Sequence, residues 1–245
     1  MNCLMNRFND CYKKKFYEKG FVYKRKAYVR VINDVLQYFS LSCNSYHHTC
    51  DVEFSILPLC MDFSRYGWRI ENYYLKKFDK YDSYLDTYWS YDCLSPQSIN
   101  ECLDNILLFL ESYLFPCFDY SHDCINALDC VIKIEKVFYE RQKRYLRLTS
   151  ANENDVEDYN GGIKDLNYYR SSLYYLALKT KNYDLALKCR REQSKCYRDK
   201  LLCIEEIKRL EKGDYNYFIK LLKENELASK EYLIKEKILS PCSVV

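Results

Sequence analysis

The sequence predicts an α+β protein: an N-terminal helix and an antiparallel β-meander, followed by a mostly helical C-terminal half. Three observations carry that prediction. Cys50–Ile56 alternates strictly, with Cys50, Val52, Phe54 and Ile56 on one side and Asp51, Glu53 and Ser55 on the other; a period of two over that length marks a strand with one buried face. A helical pattern over the first residues stops at Gly20, where strand-like patterning begins. Glycine and proline are scarce, five and four in 245 residues, which suits long helices better than a β-sandwich.

Leu4, Phe8, Cys11, Tyr12 and Phe16 recur at helical spacing and form the apolar stripe of the first helix. Phe21–Lys24 reads as a short edge strand whose lysine discourages further pairing. Ala27–Ile32 sets Val29 and Val31 opposite Tyr28 and Arg30; Val35–Cys43 sets Phe39, Leu41 and Cys43 inward against Tyr38, Ser40 and Ser42. Asn33-Asp34 between them has the length and composition of a tight hairpin, and Asn44–His48 is a longer polar connection. Pro58, with no N–H to give to a ladder, closes the last strand.

Residues 61–93 are aromatic and weakly periodic, an irregular connection with one or two short elements held down by Trp68 and Trp89. Ser95 as N-cap and Pro96 at the first helical position then open a helix with Ile99, Cys102, Ile106, Phe109 and Leu110 as its stripe, expected to end at Pro116. A second helix is expected from about His122 to Arg147, and the acidic stretch Thr149–Gly162 reads as a loop. Further helices follow at about 164–180, 183–211 and 214–237. Lys181–Leu187, KNYDLAL, resembles the turn of a tetratricopeptide repeat, and Gly213-Asp214-Tyr215 returns to it 32 residues later. The stretch between reads as one unbroken helix, so one repeat-like hairpin is expected. The chain divides into an α+β sheet domain over 1–95 and a helical region over 96–245 packed on it.

A net charge of +3 gives no global pull toward nucleic acid or membrane. Fourteen cysteines invite a disulfide framework, but the first sixteen residues hold no apolar run like a signal-peptide core. A reducing cytoplasm is therefore expected, where cysteine behaves as a small buried hydrophobe. No apolar stretch approaches the roughly 20 residues of a membrane span, so no membrane contact is expected.

No GxSxG, Walker loop, GxGxxG or HExxH is present, so nothing in the chain gives a reason to propose a catalytic site, a metal or a cofactor, although an enzyme of unrecognised type stays open. His47-His48 with Cys43, Cys50 and Cys60 offers zinc-type ligands at poor spacing, as do Cys117, His122, Cys124 and Cys130; core cysteines are the expected reading. Cys189, Cys196 and Cys203 recur every seven residues, a packing stripe on one helix. With three histidines and fourteen cysteines a Cys–His nucleophile pair can be drawn, but no pairing is selected.

Two surfaces are candidates for binding. The face expected to point outward from the sheet carries Tyr28, Arg30, Tyr38, Asp51 and Glu53, and Tyr and Arg are frequent interface anchors. The segment 13–30 holds Lys13, Lys14, Lys15, Lys19, Lys24, Arg25, Lys26 and Arg30 against a single Glu18, interleaved with Phe16, Tyr17, Phe21, Tyr23 and Tyr28. Cations for phosphates and rings for bases suit single-stranded nucleic acid; a solvated helix end with core aromatics explains the same residues.

GF at 20–21, YVRVINDVLQYFSL at 28–41, FSILPLC at 54–60, TYWSYD at 87–92, SPQSINECLDNILLFLESYLFPCFD at 95–119 and LALKTKNYDLALK at 176–188 together resemble the bacterial domain-of-unknown-function 4304 family. Tyr88-Trp89 stands where two tryptophans are expected, a departure that bears on packing. The resemblance implies no catalytic residues. The function expected is a non-catalytic intracellular protein-binding module acting through its sheet face or helical hairpins. A toxin-neutralising protein or a mobile-element accessory factor is the analogy. A nucleic-acid binder using segment 13–30 is the alternative.

Overall fold

The computed structural model describes residues 3–44, 46–69, 73–75, 89–149, 170–196 and 200–241, without the side chains of 3, 66, 73–75, 138–149 and 196. Helix α1 (Cys3–Glu18) leads into strands β1 (Val22–Lys24), β2 (Ala27–Ile32), β3 (Val35–Asn44) and β4 (Thr49–Pro58). Helix α2 (Phe63–Tyr66), β5 (Tyr73–Leu75) and β6 (Trp89–Ser90) follow. The helical half holds α3 (Pro96–Phe109), α4 (Phe115–Tyr120), α5 (Cys124–Thr149), α6 (Ser171–Lys179), α7 (Tyr183–Cys196), α8 (Lys200–Glu211) and α9 (Tyr215–Lys235). The expected loop over 149–162 falls almost wholly outside the described residues.

α1 stops where the sequence says it should. Gly20 takes φ 81°, its N–H donates to Tyr17 O and the Phe21 N–H donates to Phe16 O, a Schellman close that a Cβ would strain. The strands then pair antiparallel in the order β1-β2-β3-β4-β5, with β6 also on β4. Val35↔Pro58 through Asn44↔Thr49 makes ten consecutive pairs between β3 and β4.

Both faces of this meander are buried. Tyr28, Phe39 and Phe54 lie on one face with Phe16, Phe21, Phe115 and Phe118 of α1, the following segment and α4 packed against them in edge and tilted contacts. On the other face Tyr38 meets Trp68 edge-on at 5.2 Å, and Val29, Leu36 and Leu57 are fully buried.

One polar group is built into the first face. Arg30, 8% exposed, donates from Nε to Gln37 Oε1 (2.8 Å) and from Nη1 to Lys19 O (3.0 Å), and pairs through Nη2 with Asp119 (2.6 Å). The Gln37 amide donates in turn to Phe118 O and Ser121 O. Strand β2, the end of α1 and the end of α4 are thereby tied at one point.

Three helix boundaries depart from expectation or refine it. Ser95 Oγ accepts from the Ser98 N–H and Pro96 opens α3, as the pattern predicts. Pro116 does not end the helix. A π turn over Leu110–Leu114 intervenes, in which the Phe115 N–H reaches Leu110 O five residues back; the wider turn absorbs the bond that proline cannot make, and α4 continues beyond it. The single helix expected over 183–211 is two, α7 and α8, folded side by side: Arg190 pairs with Glu206, and Arg191 with Glu211 at 2.7 Å. On one straight helix these partners would stand about 24 Å and 30 Å apart.

With that fold-back the two turn motifs become equivalent. The N–H of Lys181 donates to Leu178 O and that of Gly213 to Leu210 O; the N–H of Asn182 donates to Ala177 O and that of Asp214 to Arg209 O. Lys181 and Gly213 both hold positive φ, 60° and 71°. The rings of Tyr183 and Tyr215, one after each turn, stack at 3.8 Å and 9°. Lys179 fixes this layer to the sheet, with Nζ 2.8 Å from Glu226 on α9 and 3.7 Å from Asp34 in the β2–β3 turn.

Three outcomes follow from these contacts. Arg30→Met is expected to lower stability by about 2 kcal/mol because Gln37 Oε1 and Lys19 O lose a buried donor; Arg30→Lys recovers little of it, since one ammonium cannot span the fork. An unchanged urea midpoint for Arg30→Met would show that the network adds nothing. Lys26→Gly is expected to raise stability by about 1 kcal/mol, because Arg25 and Lys26 both occupy the left-handed region (φ 49° and 63°) in the β1–β2 turn. Burial opposes ionisation of Glu226, but hydrogen bonds from Lys179 and Lys230 outweigh it and hold its pKa below the ordinary 4.5. Its contribution is thus full above that value and lost as pH falls below it and through the lower folded pKa; thermal scans from about pH 6 to pH 3 should show a steeper loss for the wild type than for Glu226→Gln.

Candidate functional site

The five residues expected on an outward face do not share one. Register places Tyr28 opposite Phe39 and Arg30 opposite Gln37, so both lie on the face that α1 and α4 cover. Tyr38 opposes Ser55 and Ser40 opposes Glu53, which puts Tyr38, Asp51 and Glu53 on the other side. Neither group is open: Tyr28 and Tyr38 are 0% exposed. Tyr28 donates to Asn9 Oδ1 (2.7 Å), and Glu53 sits 3.4 Å from Arg69 Nη2. The expectation of a wet face came from reading alternation as one-sided burial; here the alternate positions are covered as well.

The basic segment is divided in the same way. Lys15 pairs with Glu111, Arg25 with Glu236 at 2.5 Å, and Arg30 is buried. Of the five rings expected to stack on bases, Phe16, Phe21 and Tyr28 are at most 1% exposed, Tyr23 is half-buried, and Tyr17 is 46% exposed, beneath Lys13 at 5.4 Å. Lys13, Lys14 and Lys26 stay exposed and Lys24 is half-buried. The exposed cations thus keep Tyr17, with half-buried Tyr23, as the rings of this segment that are not sealed in the core.

The cysteines separate into distinct places. Cys60, at the far end of β4 from Cys50, points its Sγ at Tyr175 O, and burial pushes its thiol up to about 12. Cys124 faces Asp34 O, and Cys130 lies against the Cys117 carbonyl; His122 turns to Asp119 O. Cys189 and Cys203, buried on α7 and α8, belong to two helices rather than one stripe. Among the described residues no group of three or more His, Cys, Asp or Glu side chains is set to hold a metal ion.

What the structure does assemble is a thiol-rich end of the sheet. Cys43 and Cys50 are directly opposed across β3–β4, their sulfurs 3.2 Å apart. The contact with Cys43, then burial, raises the Cys50 thiol far above its ordinary value, and Cys50 Sγ also lies 3.6 Å from Asp51 O, to which it donates. Tyr91 lies beside them, its phenol pushed up to about 12 by burial first and then by the neighbouring Cys43, Cys50, Cys102 and Cys93. At the rim the Cys93 Sγ stands 3.7 Å from His48 Nε2. Both are exposed, and among the described residues no carboxylate orients the His48 ring, which leaves the pair short of a nucleophile–base–orienter set.

This pairing had a signal in the sequence. A connection centred on residues 46 and 47 makes position 43 oppose position 50 once the hairpin is drawn. The exposed row on α8 had none, because it appears only when the 183–211 stretch folds back. Lys200, Leu201, Ile204 and Lys208 share one helical face, with Leu201 84% and Ile204 41% exposed, while Cys203, Glu206 and Leu210 are buried on the other.

No family model, no curated protein and no solved structure matches this chain. The resemblance drawn above rests on the residues quoted for it alone.

Proposed function

We propose that this chain is a non-catalytic protein-binding module whose contact surface is the helical array, not the sheet. The observation that carries the reading is the exposed face of α8. Leu201 and Ile204 stand in water between Lys200 and Lys208, whereas the meander buries both its faces. The exposed Glu205 and Glu211 lie on the same face, so the apolar pair is framed by charges of both signs, which suits a partner segment that offers apolar side chains within a mixed-charge rim. The tandem hairpins support it by holding α8 rigidly: Arg190, Glu206 and the Tyr174 hydroxyl form one buried cluster under this helix. Among the described residues no helix is long and apolar enough to cross a membrane; a cytoplasmic setting, with a toxin or a mobile-element protein as the partner, belongs to this proposal.

Affinity capture from the native host tests it, with the captured protein then purified and rebound. The double variant Leu201→Glu, Ile204→Glu, checked for an unchanged helical circular dichroism signal, is expected to lose more than about tenfold in affinity for that protein. Retention of full affinity by the folded variant, or no stoichiometric partner in the wild-type capture, overturns the reading.

A further inference from the structure

The thiol-rich end of the sheet carries an inference independent of partner binding. We propose that Cys43 and Cys50 form a hydroperoxide-responsive thiol pair that closes reversibly into a cross-strand disulfide. The backbone is already suited to it. Directly opposed residues of an antiparallel pair have Cα atoms about 4.5–5.5 Å apart, inside the range that a disulfide spans. The sulfurs touch at 3.2 Å, so bond formation needs a closing movement of about 1 Å.

The environment assigns the two roles. Cys43 is half-buried and is the member of the pair that solvent reaches; Cys50 is fully buried behind it with its sulfur against that of Cys43. The thiolate is the form that reacts, and of the two sulfurs the half-buried Cys43 is the one a hydroperoxide in solvent can approach. Cys43 sulfur attacks one oxygen of the hydroperoxide, the O–O bond breaks, and the other oxygen leaves as water or alcohol after taking a proton; Cys43 becomes the sulfenic acid. Cys50 sulfur then attacks Cys43 sulfur, the S–O bond breaks, and the hydroxyl departs as water with the Cys50 proton. Two thiols lose two electrons and two protons to one peroxide, and a small dithiol reverses the change. The resolving thiol already in contact protects the sulfenic acid from further oxidation. The disulfide would close the turn over 44–49, on which Tyr46 is 85% exposed.

Because no Lys or Arg lies between residues 31 and 64, trypsin leaves both cysteines on one peptide, while chymotryptic cleavage after Tyr46 separates them. The reduced full-length protein is titrated with hydrogen peroxide, alkylated with iodoacetamide, cleaved with both enzymes and analysed by mass spectrometry. The expected product is a linked Cys43–Cys50 peptide pair, two hydrogens lighter than the sum, lost on adding dithiothreitol. Cys93→Ser should leave it unchanged, and Cys50→Ser should stop at a Cys43 sulfenic acid trapped by dimedone. Native circular dichroism of each variant confirms folding. Recovery of both cysteines alkylated after peroxide, of Cys43 linked to Cys93 or Cys102, or of Cys43 sulfinic acid in the wild type overturns the proposal.

Discussion

The ten-pair ladder between β3 and β4 is the constraint on which the rest of the structure depends. From Val35 to Leu41, and again from Phe54 to Pro58, every residue of the pair is buried. A strand covered on both faces needs two separate layers of side chains, and a short chain must send segments from both sides of it to supply them. Here α1 and α4 close one face through phenylalanines, and Trp68 caps the other. Each fully buried aromatic contributes on the order of 1.5–3 kcal/mol, so the sheet is where most of the driving force collects.

Such cover would be indifferent to orientation if it were only apolar. Two polar clusters set the geometry instead. Arg30 and Gln37 reach the carbonyls that α1 and α4 leave unpaired at their ends, groups that a helix cannot satisfy internally. In the helical half, Arg190 lies over the Tyr174 ring at 3.9 Å, pairs with Glu206 and donates to Gln193, whose amide reaches Arg170 O. A buried charge stripped of its partner is costly, so each cluster holds a single arrangement of elements far apart in sequence. That is specificity of packing more than added stability.

Most of the meander was legible in the sequence. Strands read as 27–32, 35–43 and 50–56 fold as Ala27–Ile32, Val35–Asn44 and Thr49–Pro58, because alternation, the Asn33-Asp34 turn and Pro58 are local signals. Side assignment failed at Tyr28 and Arg30 for a physical reason. Polarity marks exposure only where a group finds no partner inside: Arg30 is buried with its partners, and Tyr28 hides its ring while its hydroxyl finds Asn9. Drawing the register from the two turns would have placed both beside Phe39 and Gln37. The break between α7 and α8 was not legible: neither glycine nor proline lies between Tyr183 and Glu211, and the fold-back is fixed by Arg190 and Glu206, a contact that no local pattern announces.

That fold-back changes what the 32-residue spacing means. Lys181 and Gly213 hold the left-handed position, Asn182 and Asp214 each donate five residues back, and Tyr183 and Tyr215 stack. The repeat is therefore written in its turns, while the helices between share little sequence. A turn with fixed geometry sets the angle at which a helix leaves, and a stacked ring pair holds one turn against the next. Once those are set, the helix faces turned away from the core are released from any packing demand. Leu201 and Ile204 lie on such a face, 84% and 41% exposed, between Lys200 and Lys208.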